Sequence, residues 1–255
     1  MGRLLACLLL LVAPYLNAAE PAGKPLQLVG SLWSPYIDPL RPNGGLAAEL
    51  VSTALSRAGY TMATKVDTWP RAYEGTASGV YDVVISVWQT PEREKELLFS
   101  EPYLFNDIVL FSKKGRALPF KSVDDLADYT IGVENEFAYG GGFDERTDFK
   151  RVVNNSLIEN LLLLRRGKVD LVIGDRWSLY YALTSFMPDA VPELEMLPNA
   201  LVRRALHMGV ARSRADAAKI VADFNRELVA MNNDGTYRKI LDKHTGDLAV
   251  VEKGE

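Results

Sequence analysis

Cysteine is nearly absent from this sequence of 255 residues, and the single example, Cys7, stands inside an apolar N-terminal stretch. With one thiol no internal disulfide forms, and the chain beyond that stretch has neither a thiol nucleophile nor a cysteine metal ligand. Histidine is almost as scarce. His207 and His244 stand far apart, with no metal-ligand spacing between them. Gly140-Gly141-Gly142 lacks the lysine and spacing of a phosphate loop and reads as a bend. No cofactor is therefore expected. A nucleophile elbow is missing, as is a histidine placed to serve a serine, which removes the serine-hydrolase class. Basic residues are not in excess. A net charge of -4 gives no reason to expect nucleic acid or an anionic membrane as partner.

Long apolar runs are confined to the N-terminus. Met1-Gly2-Arg3 carries one positive charge, the stretch from Leu4 to Leu16 is almost wholly apolar, and Asn17-Ala18-Ala19 supplies small residues before Glu20. That order predicts a secretory signal peptide over 1–19 and a periplasmic destination. The run is shorter than the roughly 20 residues that span a bilayer. The rest of the chain has the length of one large domain or two small ones.

Short apolar strands then alternate with amphipathic helices, which is the pattern of an α/β fold. Strands are expected at Leu26 to Val29, Met62 to Val66, Val80 to Val87, Ile108 to Phe111, Tyr129 to Glu134, Val169 to Gly174 and Leu206 to Ala211. Helices are expected from Leu46 to Gly59, near Pro70 with Thr68 as cap, from Thr90-Pro91-Glu92, over Leu157 to Leu164 and over Ala215 to Met231, with a last short one after Gly235. Ser122-Val123-Asp124-Asp125 is close to a capping box. Two sets of strands and helices divide near residue 110, without a flexible linker, and the C-terminal helices return to the first set.

Ligands in open α/β sheets bind beyond the carboxyl ends of strands. Ile85-Ser86 leads through Trp88 into Thr90 and Arg93, where a helix start, two hydroxyls and a guanidinium would suit a carboxylate. The alternative makes Thr90 a plain cap and Arg93 a surface partner of Glu94 or Glu96. Asp175 stands at the end of another strand, where it either holds an ammonium group or caps the helix beginning at Arg176. Trp33, Tyr36, Trp69 and Trp88 lie in loops after strands, where they either line a site or pack. Arg71 is a second cation for an acidic ligand or a surface residue. Glu134 and Glu136 are candidates for acid–base work, although exposed glutamates are far commoner than catalytic ones.

In order along the chain, Trp33-Ser34-Pro35-Tyr36, Gly45-Leu46, Tyr81 to Ser86 with Thr90-Pro91-Glu92-Arg93, Phe99-Ser100-Glu101-Pro102-Tyr103, Gly167-Lys168-Val169-Asp170 with Asp175, and Asp234-Gly235-Thr236-Tyr237 resemble the extracellular solute-binding protein family 3. The resemblance implies a two-lobed type II periplasmic binding protein fold. Each lobe would hold a central mixed sheet flanked by helices, joined by a two-strand hinge, with lobe 1 over 24–109 plus 208–255 and lobe 2 over 110–207. It implies a monomeric receptor for an amino acid or similar compound, serving the permease of an ABC importer in the inner membrane. It further implies that Arg93, helped by Ser86, takes the α-carboxylate, that Asp175 takes the α-ammonium, and that Trp33, Tyr36 and Trp69 flank the side chain. Trp88 replaces a small hydroxyl donor, and Glu136-Phe137-Ala138 replaces a glycine-serine-threonine turn, so Phe137 enters an altered pocket. Alternatives on the same fold are a dehydratase acting on cyclohexadienyl acids and a sensor for a membrane signalling protein.

Overall fold

A computed structural model describes residues 24–253 apart from 117, 119 and 136, with side chains as far as residue 246. The predicted signal peptide and Glu136 lie outside the described residues. The chain opens with β1 (Leu26–Ser31), α1 (Leu46–Arg57), β2 (Met62–Asp67), α2 (Trp69–Ala77) and β3 (Val83–Trp88). β1 runs parallel to both β2 and β3. All residues of β3 but Trp88 are buried, as expected of a parallel strand covered on both faces. A short strand, β4 (Leu97–Phe99), and a long one, β5 (Leu104–Lys113), complete this part.

The second half repeats the logic with β6 (Thr130–Glu134), β7 (Lys150–Asn154), α3 (Leu157–Arg165), β8 (Leu171–Asp175) and α4 (Arg176–Phe186). β6 lies parallel between β7 and β8. The chain returns through β9 (Leu194–Met196) and β10 (Val202–Ala211), then ends in α5 (Ala217–Asn233) and α6 (Thr236–Lys253), which pack against α1. One sheet runs through both halves in the order β2-β1-β3-β10-β5-β8-β6-β7. Leu104–Ile108 of β5 pairs antiparallel with Val202–Leu206 of β10. Beyond that shared segment β10 pairs with β3, whereas β5 pairs with β8. Among the described residues these two strands are the sole sheet connection between the halves, so each half keeps its own core. The fold is a type II periplasmic binding protein fold.

Local chemistry accounts for most of these elements. Ser122 and Asp125 form the expected capping box, although it opens only a short 3-10 turn. Gly45 adopts φ +100°, and a Cβ there would lie 2.7 Å from the Tyr36 carbonyl oxygen. That close approach lets Leu46 and Ala47 donate backbone hydrogen bonds to the carbonyls of Pro35 and Tyr36, locking the aromatic loop onto the start of α1.

Two expectations are corrected. Thr90-Pro91-Glu92 opens no true helix: only a 3-10 turn forms at Arg93–Lys95. Leu97 enters the sheet immediately afterwards and is fully buried opposite β10, so strand pairing overrides the start signal. The last helix is not short but runs for 18 residues. β4, β7 and β9 were not anticipated: β4 and β9 have three residues each, too few to carry a periodicity, and β7 opens with the two charged residues Lys150 and Arg151. Among the described residues no helix is long and apolar enough to cross a membrane.

Candidate functional site

The parallel strands of both halves point their carboxyl ends at the same crevice. A cavity of about 630 Å³ opens there, walled by Ser31, Trp33, Trp69, Ser86, Trp88 and Arg93 from the first half and by Glu134 and Phe137 from the second. Six of the ten residues singled out from the sequence for ligand binding thus meet at one surface: Trp33, Trp69, Ser86, Trp88, Arg93 and Phe137.

Arg93 is held from three sides. Its guanidinium Nη1 donates to the Trp88 carbonyl at 2.8 Å, and its plane sits 4.9 Å from the Trp69 ring and 5.6 Å from the Tyr73 ring. Trp69 and Tyr73 stack on one another because they sit one turn apart at the start of α2. Burial lowers the affinity of Arg93 for its proton, though a guanidinium stays charged. Among the described residues no carboxylate pairs with it. Glu94 takes the amide of Gln89 and Glu96 takes the Tyr73 hydroxyl, so the surface-pair alternative is not what forms. Thr90 lies off the cavity, its hydroxyl accepting the Arg93 backbone N–H at 3.3 Å. With no helix behind it, this turn offers no helix dipole to an anion.

Trp88 forms part of the wall and of the floor. Its ring meets Trp33 and Phe137 edge-on at 5.8 and 5.5 Å, and the Arg204 guanidinium lies 3.9 Å from its centroid. Its Nε1–H donates to Asn106 Oδ1 at 2.9 Å. Arg71, by contrast, is exposed and among the described residues reaches only Asp67, at 3.8 Å.

Asp175 and Tyr36 lie beneath this surface. Both are 1 % exposed. The Tyr36 hydroxyl donates between the two Asp175 oxygens at 2.9 and 3.0 Å, Asn106 donates at 3.1 Å, and the Ser178 backbone N–H donates at 2.9 Å as α4 begins. Asp175 is therefore the cap of α4 and the anchor of a buried network. Burial pushes its carboxyl up to about 6, against the opposing pull of these donors. The same burial drives the Tyr36 hydroxyl well above its ordinary range.

Glu134, marked in the sequence only as a candidate for acid–base work, also lines the cavity. It ends β6 as Asp175 ends β8, so the strand-end rule applies to both. Its backbone N–H goes to the Tyr139 hydroxyl at 2.7 Å, yet its carboxyl has no hydrogen-bond or ionic partner among the described residues. Desolvation pushes that carboxyl up to about 7. No cluster among the described residues could hold a metal ion.

Known proteins match this chain along most of its length. The family model "Bacterial extracellular solute-binding proteins, family 3" matches residues 35–247. The ABC transporter arginine-binding protein 1 of Escherichia coli is 30% identical over 64% of this chain and 65% of its own length, so the match spans just under two thirds of that relative. The L-cystine-binding protein TcyJ of the same species is 25% identical over 79% of this chain and 74% of its own. Among solved structures, a histidine kinase sensor domain similar to periplasmic binding proteins has TM-score 0.72 at 18% identity, over 88% of this chain and 97% of its own. An ancestral arginine-binding protein bound to arginine has TM-score 0.68 at 23% identity, over 86% and 96%. The chain belongs to the bacterial extracellular solute-binding proteins, family 3.

Proposed function

We propose that this protein captures a small carboxylate-bearing ligand, an amino acid or a close relative, in the crevice between its lobes and closes over it for delivery to an ABC importer permease. The observation that carries the reading is the Arg93 guanidinium. It is half-buried, held by Trp69, Tyr73 and the Trp88 carbonyl, and without a carboxylate partner among the described residues, beside an aromatic-walled cavity. A ligand carboxylate would complete it, with Ser86 as a second donor. The lobes are set at 24–109 plus 208–255 and 110–207, and bending in the paired segments of β5 and β10 would bring Glu134 and Phe137 toward Arg93. Closure is driven by contacts that a ligand makes only when both walls reach it. The setting is the periplasm, and the protein acts as a binder, not an enzyme.

A thermal-shift screen of the chain from residue 24 onward against amino acids, small carboxylates and polyamines tests the reading. A ligand of the folded state raises the melting temperature, and Arg93→Ala should abolish the shift. A shift that survives Arg93→Ala, or none with any carboxylate, overturns it. One observation favours a second reading, the cyclohexadienyl dehydratase: a lone Glu134 carboxyl that holds its proton near neutrality suits a general acid. Turnover of prephenate or arogenate would select that reading.

A further inference from the structure

Among the described residues three carboxylates stand at or just beneath the cavity, and two of them are already occupied. Asp67 accepts the Tyr81 hydroxyl at 3.1 Å and the Thr68 backbone N–H at 2.8 Å. Asp175 accepts from Tyr36, Asn106 and Ser178, so its two oxygens are filled by the protein itself. The Tyr36 hydroxyl and the Asn106 amide cover Asp175, whose carboxylate does not reach the cavity surface. Admitting a ligand there would mean withdrawing a buried tyrosine whose backbone is pinned to α1. Glu134 faces the same crevice with its carboxyl unpartnered among the described residues.

We propose that Glu134, and not Asp175, receives the cationic end of the ligand, so that the bound species carries a carboxylate for Arg93, a cation for Glu134 and an apolar body for the aromatic wall. The inference rests on the carboxylate-capture reading above and adds the acceptor that reading leaves open. An uncompensated carboxyl in a desolvated crevice is costly while the crevice is empty, and an ammonium or guanidinium group removes that cost. Charged and titratable neighbours do not substitute for it. Across the crevice stand Arg93 and the already engaged Asp67. Beside Glu134 stands Tyr139, whose hydroxyl serves the backbone N–H, with Asp144 beyond it accepting the Tyr139 and Gly140 backbone N–H groups. The β7 residue opposite is Asn154, whose amide serves Asn160 of α3. The upward displacement of the Glu134 proton affinity is what such isolation produces.

The test is calorimetry at pH 8 with the protein amino acids as one set of probes and their deaminated carboxylic acids as the other. The wild-type chain, Glu134→Gln and Arg93→Ala are compared. At least one amino acid should bind about tenfold or more tightly than its deaminated counterpart, and Glu134→Gln should erase that preference. If the deaminated acids bind equally well, or if Glu134→Gln keeps the preference, the assignment of Glu134 is overturned while Arg93-dependent carboxylate capture stands. If neither set binds, both readings fall together. Glu134→Gln removes an unpaired charge and no internal contact, so its folding serves as its own control by circular dichroism.

Discussion

The crevice has a floor and a wall, and they treat carboxylates in opposite ways. On the floor, Asp175 is enclosed by Tyr36, Asn106 and the first turn of α4, and Asn106 passes the network on to Trp88. On the wall, Glu134 has no such company. Both are pushed up by burial, but donors oppose the push at Asp175 and nothing opposes it at Glu134. A carboxylate whose lone pairs are filled by its own fold contributes structure. One left unfilled at the mouth of a cavity is held open for something else, at a cost to the empty protein.

The largest expected effect lies on the floor. Asp175→Ala strands the Tyr36 and Asn106 donors and uncaps α4, and should lower stability by about 3 kcal/mol in urea unfolding, with ligand or without. Stability that barely moves would mean the network is not structural. Next comes Arg93→Ala, expected to weaken ligand binding by about 2 kcal/mol in calorimetry while leaving unfolding little changed. Glu134→Gln sharpens the contrast through pH. The folded-state pKa of Glu134 is raised above its unfolded value, so this group's contribution to stability falls as pH rises from about 4.5 through about 7. The variant should therefore melt higher than wild type at pH 8 and alike at pH 4. Trp88→Phe removes the donor to Asn106 and should cost about 1 kcal/mol. Arg71→Ala should change affinity and stability by less than about 0.5 kcal/mol, since Arg71 makes only an exposed pair with Asp67.

Much of this was legible in the sequence, and the parts that were not have physical reasons. The short apolar segments within β1, β3, β5 and β8 announce themselves, and their order implies the crevice. The setting of Arg93 after a strand points to the cavity that it lines, although the helix expected behind it does not form, because the pull of Leu97 into the sheet acts from β10, more than a hundred residues away. Asp175 could not be decided from its neighbours. Capping and ligand binding ask for the same residue at the same strand end, and the deciding contact is Tyr36, 139 residues earlier in the chain. Asn106 carries no local signal, since nothing in the sequence separates it from its polar neighbour Asp107 in β5. Glu134 had the same positional signal as Asp175, yet carboxylates are judged by their partners, and partners are visible only after folding.

The comparison of floor and wall is decided most directly by carbon-13 NMR of the side-chain carboxyls, titrated in the free protein and with a bound amino acid. Glu134 should titrate near pH 7 in the free protein and at lower pH once the ligand is bound, while the Asp175 signal stays where it was. A ligand-induced change at Asp175, with Glu134 titrating at its ordinary value throughout, would contradict the assignment.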